Sequence, residues 1–228
     1  MTRGAAFLLG LRSVAPMLLG VAPFGVLYGV VALQSGIPPL AALAMSSIVF
    51  AGSAQFLLAQ LVGAGAPALL ATGAVGLVNL RHALYSASVA PLLARLPRRW
   101  KLLLAYLLTD EAYAAAIPHL ASGDCAAADG HWILFGSGVG LWAGWQAATL
   151  VGVLLGARLP TDAGLDFALP LTFIAIVVPM VRSGALLVSA LAAAAAALAL
   201  VALPYKLGLF FAALAGLVAG ALASGRRT

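Results

Sequence analysis

Long apolar runs, separated by short clusters of glycine, proline or charge, divide the chain from end to end. Eight runs stand out, at about 14–33, 40–62, 68–93, 102–118, 131–157, 167–181, 184–203 and 207–224. The separators are turn formers: Ser35-Gly36 with Pro38-Pro39, Gly63 to Pro67, Leu96-Pro97, Gly123 to Gly130, Pro160 and Pro204. Several runs reach the roughly 20 residues a helix needs to cross a hydrocarbon core about 30 Å thick. The expected fold is all-α, a polytopic transmembrane helix bundle forming a single transporter domain over 1–228. No separate soluble domain fits in the remainder.

Two runs are irregular for chemical reasons. Segment 40–62 carries Ala51-Gly52-Ser53-Ala54 at its centre, followed by Gln55, and segment 167–181 is short and holds Pro170 and Pro179. Broken helices at membrane depth persist only where protein or a water-filled cavity satisfies the exposed backbone, and transporters place such breaks at binding sites. The pattern predicts about six full crossings plus these two broken or re-entrant segments. A further hinge is expected at Pro23, which removes a backbone donor, with Gly25 and Gly29 forming a small-residue face beside it. Similar glycine pairs at Gly136/Gly140/Gly144, Gly152/Gly156 and Gly216/Gly220 read as helix-packing faces.

Composition agrees with a lipid-facing exterior. Of 228 residues 64% are hydrophobic and only 8% charged, with a mean hydropathy of +1.12. A soluble domain carries about a quarter charged residues. The net charge of +6 does not call for nucleic acid, because the basic residues sit in short loops where membrane topology explains them. The cluster Arg95, Arg98, Arg99 and Lys101 is expected to be cytoplasmic. If 40–62 and 167–181 enter and return on one side, residues 3, 12, 95, 98, 99, 101, 158, 182, 226 and 227 also face the cytoplasm. Lys206 then faces outward, Arg81 is intramembrane, and the acidic 119–130 loop lies outside. The N-terminus would be cytoplasmic; Arg12 interrupts the first apolar run and no cleavage site follows, so it is expected to be retained.

The chemistry concentrates in Asn79-Leu80-Arg81-His82-Ala83-Leu84-Tyr85-Ser86, at the middle of segment 68–93. An arginine at the bilayer centre costs at least about 2.5–3.5 kcal/mol on insertion scales, so it needs a partner or a cavity. Helical spacing puts Asn79, His82 and Ser86 on one stripe and Arg81, Tyr85 and Ser88 on the next. This polar face predicts a substrate path, with Arg81 offering its planar fork to a carboxylate and His82 able to carry a proton. The competing structural role is an internal ion pair with Asp110 or Glu111, which lie at similar depth in 102–118 and point about 100° apart. Gly52, Ser53, Gln55 and Tyr28 are further candidates for lining the path, with Gln146 beside them. Trp100, Trp132 and Tyr205 fall at segment ends as interface anchors. A lone Cys125, scattered His82, His119 and His131, and the lack of nucleotide or hydrolase motifs leave no expected metal or cofactor. A channel-like pore subunit for a small polar solute, or an intramembrane enzyme using His82 with an acid, are the alternatives to a transporter.

Five stretches together resemble the AzlC family of branched-chain amino acid permeases: PFGVLYG at 23–29, FAGSAQF at 50–56, NLRHALYS at 79–86, TDEAY at 109–113 and DFALPLTF at 166–173. Their order and spacing run through about three-quarters of the chain, and the NLRH block is the most distinctive. The resemblance implies export of valine, leucine, isoleucine or analogues across a bacterial inner membrane. It also implies a small membrane partner of the AzlD type.

Overall fold

The computed structural model describes residues 1–122, 129–158, 178, 181, 183–204 and 207–225. Pro170, Pro179, Tyr205 and the DFALPLTF stretch lie outside the described residues, and so do the expectations placed on them. The described residues are helical, with no strands among them: α1 Arg3–Gln34, α2 Pro39–Ile48, α3 Gly52–Gly63, α4 Ala68–Val78, α5 Leu80–Val89, α6 Arg98–Leu107, α7 Asp110–Ser122, α8 His131–Gly156, α9 Gly184–Ala199 and α10 Leu207–Ser224. The chain divides into two compact units, one formed by 1–63 with 68–158, the other by 64–67 with 159–228. In the second unit α9 and α10 pack through small residues: a Cβ on Gly216 would meet Ala193 and the Ser189 carbonyl at 2.9 Å.

The first unit is organised on α1 and α8, the two described helices long and apolar enough to cross a membrane. They run parallel and nearly in contact at the backbone. A Cβ on Gly10 would overlap the Ile133 carbonyl, one on Gly136 the Phe7 carbonyl, and one on Gly152 the Val26 carbonyl. Gly25 and Gly29 join the same seam, against Ala148 and the Thr149–Val153 backbone. At Pro23, where a hinge is expected, the helix does not break: α1 is continuous from Arg3 to Gln34 with Pro16 and Pro23 inside it. Gly25 and Gly29 serve close packing instead, because α8 braces the helix along its length.

Segment 40–62 is broken and returns on the side it entered. It starts at Pro38-Pro39, where proline suits a first helical turn. Ala42 accepts a hydrogen bond from the Tyr28 hydroxyl at 3.0 Å, and Ser46 meets Thr149 at 3.1 Å. The helix stops at Val49, whose φ −104° and ψ 71° are non-helical. At the turn a Cβ on Gly52 would sit 3.0 Å from the Trp145 ring, so only glycine lets the backbone press there. α3 then climbs back, and Gly63 ends beside Ser35, so close that a Cβ on it would lie 3.1 Å from the Ser35 Cβ. From Gly25 to Ser35 is roughly 15 Å at 1.5 Å per residue, so the tip reaches about half-way through a 30 Å core.

Segment 102–118, expected as a full crossing, is also a hairpin. α6 enters beside the start of α8, with Trp100 on Trp132 and Phe135 at ring separations of 4.9 and 5.3 Å. It ends at Leu107, packed against Gly138. Thr109 then opens α7, its hydroxyl accepting from the Ala112 N–H at 3.4 Å, and Asp110 and Glu111 occupy the first turn. A threonine cap and acidic first turn are the usual chemistry of a helix start. α7 returns to the same end, where Leu120 meets Gly130. The physical reason is length: α6 has 10 residues and α7 has 13, too few for either to span alone.

This second hairpin overturns the expected threading of the loops. Arg3 and Asp129 form an ion pair at 3.2 Å, so the acidic loop lies on the same side as the N-terminus, not opposite it. Among the described residues Arg3, Arg12, Arg95, Arg98, Arg99 and Lys101 belong to that end of the unit, and Arg158 to the other. Between them α4 and α5 pass through with one irregular turn at Asn79, ending where Val89 and Leu93 join Ala6, Ile133 and Leu134 in an apolar cluster. The unit thus has three passages and two hairpins entering from opposite ends. Six full crossings are not established.

Candidate functional site at the meeting of the helix breaks

Three interruptions converge at one depth: the tip of α2–α3, the turn at Asn79, and the tip of α6–α7. Arg81 bridges the two tips. Its Nη1 donates to Asp110 Oδ2 at 2.5 Å, and its Nη2 donates to Ser53 Oγ at 2.8 Å. The side chains of Arg81 and Asp110 are 33% and 36% exposed, so the pair is open on one side rather than sealed. His82 Nε2 stands 3.9 Å from Asp110 Oδ1, beyond hydrogen-bond reach. Glu111, about 100° around the helix, is in no ion pair among the described residues. Asp110 is therefore the acid that Arg81 selects.

The site has hydrogen-bonding capacity to spare. Arg81 Nε, His82 Nε2, Asp110 Oδ1 and Asn79 Oδ1 are all buried atoms without a hydrogen-bond partner among the described residues. Most buried polar atoms in native proteins are satisfied, so four such atoms around one ion pair mark a place built for water or solute. The α3 N-terminus adds its first N–H groups beside Ser53, a further attraction for a negative group.

The remaining sequence candidates separate by environment. Tyr85 stacks on Tyr113 at 5.0 Å, and Ser88 meets the Tyr113 hydroxyl at 2.9 Å, continuing the polar face one turn along. Ser86 lines a mostly apolar cleft of about 240 Å³ together with Val89, Leu93, Lys101, Leu104, Leu108 and Leu134. Gly52 supplies the close turn against Trp145. Gln55 is fully buried, and its Nε2 donates to the Met45 carbonyl at 3.3 Å, stitching α3 to α2 across the break. Tyr28 is fully buried too, stacked on Trp145 at 6.3 Å with its hydroxyl committed to Ala42, which is a packing position. Pro23, Gly25 and Gly29 belong to α1 and its seam with α8.

Sequence reasoning missed a second polar cluster. Trp142 Nε1 donates to the Tyr106 hydroxyl at 2.8 Å, and that hydroxyl donates to the Ser47 carbonyl. Ser47 Oγ donates to Gln146 Oε1 at 3.1 Å, and Gln146 Nε2 donates to the Ser46 carbonyl at 3.2 Å. The available signal was the spacing of Trp142, Gln146 and Thr149, which share a face of an otherwise apolar helix.

A family model described as AzlC protein matches residues 16–159, which contain both hairpins and the ion pair. The chain belongs to the AzlC family. This AzlC-family chain is 29% identical to the inner membrane protein YgaZ of Escherichia coli (strain K12) over 226 residues, covering 96% of the chain and 89% of that protein. It is also 29% identical to an uncharacterized membrane protein of Archaeoglobus fulgidus over 222 residues, covering 95% of the chain and 94% of that protein. A third membrane protein, from Helicobacter pylori, is 29% identical over 160 residues, covering 69% of the chain and 68% of that protein. No solved structure matches the chain. The chain is accordingly a membrane protein of a transport-associated family, not of an enzyme family.

Proposed function

We propose that this AzlC-family chain is a secondary transporter subunit that exports branched-chain amino acids across a bacterial inner membrane. The observation that carries the reading is the Arg81–Asp110 pair, half-way through the unit at the tips of two opposed hairpins and ringed by unpartnered polar atoms. An amino acid zwitterion brings the complementary charges. Its carboxylate suits Arg81, Ser53 and the α3 N-terminus; its ammonium suits Asp110 Oδ1. Binding would then exchange one internal ion pair for two with the solute, so the charges stay compensated in a low-dielectric setting.

The side chain has a place as well. The apolar cleft begins at Ser86, one turn beyond His82, and includes Leu108, two residues before Asp110. Its volume of about 240 Å³ accommodates a branched aliphatic group, and its Leu and Val walls reward an apolar one. His82, 3.9 Å from Asp110, is placed to compete with Arg81 for the carboxylate when protonated, which would serve proton coupling. The concentration of basic residues at the N-terminal end favours a cytoplasmic N-terminus. A small membrane partner of the AzlD type completes the proposal.

The test is counterflow of labelled leucine or valine into liposomes preloaded with unlabelled amino acid, with and without the small partner. Transient accumulation of label above equilibrium is expected. Unsaturable, gradient-limited flux would point to a pore instead, and chemical conversion of the label to an enzyme.

A further inference from the structure

The two hairpins come from different stretches of sequence and opposite ends of the unit, yet their tips are tied at two places. Arg81 makes the first tie, between Ser53 and Asp110. The second needs no charge: the Tyr106 hydroxyl, at the end of α6, donates to the Ser47 carbonyl at the end of α2. Ser47 belongs to the last turn of α2, so its carbonyl has no i+4 partner within the helix, which stops at Val49. Trp142 on α8 fixes the hydroxyl by donating to its oxygen at 2.8 Å, leaving the phenolic proton to point at Ser47. The Phe50 ring, in the turn between α2 and α3, stacks obliquely on Tyr106 at 6.1 Å. Gln146 on α8 holds Ser46 and Ser47 from the other side.

We infer that Tyr106 is a clasp that holds the two hairpin tips together, and that its hydrogen bond to Ser47 must break each time the path between the tips opens. A solute able to displace the Arg81–Asp110 contact gains nothing at Tyr106, since that tie is neutral and lies apart from both charges. The clasp therefore sets how often the tips part, independently of what is bound. Tyr106 is a positioning residue: it acts through the hairpins and touches none of the charged groups of the site. The inference rests on the transport reading only for its consequence; the contact between the tips stands by itself.

The test reads tip separation directly. Ala51 and Thr109, 5% and 6% exposed, lie in the two breaks. Ala51→Cys and Thr109→Cys, each in a chain whose single Cys125 is replaced by serine, report opening through their rate of reaction with a small thiol reagent. Tyr106→Phe keeps the ring and removes the hydroxyl, and should speed labelling at both positions about fivefold, the population shift expected of one net hydrogen bond. Trp142→Phe leaves the Tyr106–Ser47 bond but frees the hydroxyl to rotate, and should speed labelling about twofold. Unchanged rates in a folded Tyr106→Phe protein overturn the clasp. If Tyr106→Phe does not yield folded protein, Trp142→Phe decides alone, and a rate equal to the parent's overturns it. Counterflow run on the parent protein keeps the two ideas apart: labelling that responds without counterflow sinks the transport reading and spares the clasp, and the reverse sinks the clasp.

Discussion

The seam between α1 and α8 and the junction of the hairpin tips lie in the same unit, yet they use opposite chemistry. Along the seam glycines bring two long helices to backbone contact, with buried Val14, Ile133 and Leu141 filling the space. In lipid, where apolar surface gains little by leaving the solvent, this close van der Waals fit is what holds helices together. At the junction the helices stop short, their ends are exposed to one another, and a guanidinium and a carboxylate sit among polar atoms without hydrogen-bond partners among the described residues. The difference teaches a division of labour. One region is rigid because its two helices meet backbone to backbone along their length; the other is able to exchange partners because several of its polar atoms have none among the described residues.

The comparison can be broken at the seam first, where the largest effect is expected. Gly152→Leu or Gly10→Leu forces side-chain atoms into a backbone carbonyl, so folded, inserted protein should be lost, whereas Gly73→Leu, with nothing within 4 Å of its Cβ, should insert normally. Yields of monodisperse protein in detergent check this; equal yields would remove the seam's claim to hold the unit. At the junction the expectation inverts: fold is kept and function goes. Arg81→Lys and Asp110→Asn should leave yield near the parent's and each cut counterflow by roughly a hundredfold, since a point charge cannot serve two acceptors as the fork does and a neutral amide cannot balance the guanidinium or attract an ammonium. Normal transport in both variants would show that the proposed site is wrong.

Two smaller changes sharpen the picture. Ala90→Leu fills part of the cleft that Ser86 and Leu108 line, and should raise the KM for leucine about tenfold while sparing alanine, given that overpacking costs about 1–3 kcal/mol. A parallel loss for both amino acids would detach the cleft from the site. Ser53→Ala removes one of the two partners of Arg81 and should slow counterflow roughly threefold to fivefold, the weight of a single partly exposed hydrogen bond.

Much of this was legible before any coordinates. The apolar runs announced a membrane helix protein, Ala51-Gly52-Ser53-Ala54 announced the first break, and the NLRH block announced an intramembrane arginine in need of a partner. Two carboxylates were available to it, and only the start of α7 decided for Asp110. The second break could have been read from Thr109-Asp110-Glu111, a helix-start signature in the middle of an apolar run, but hydropathy smooths over a capping residue. Tyr28 and Gln55 were legible as polar groups in apolar runs, but their full burial was not, because sequence gives residue type and not burial. Trp142 shares a helix face with Gln146 and Thr149, but Tyr106 and Ser47 offered no signal: their contacts join residues 59 and 36 positions apart.

The sequence by itself determined the solvent and the ingredients. Local composition sets whether a segment prefers lipid, where glycine permits close approach, and which side chains are too polar to face hydrocarbon, and all of these depend on neighbours within a few turns. Only the tertiary structure decided direction and partnership. Whether a 17-residue run crosses or doubles back, and which end of the unit receives the Arg3–Asp129 pair, depends on contacts between α6–α7, α1 and α8 that are distant in the chain. A helix break supplies unmet hydrogen bonds locally; what meets them is chosen by whichever segment the fold brings alongside.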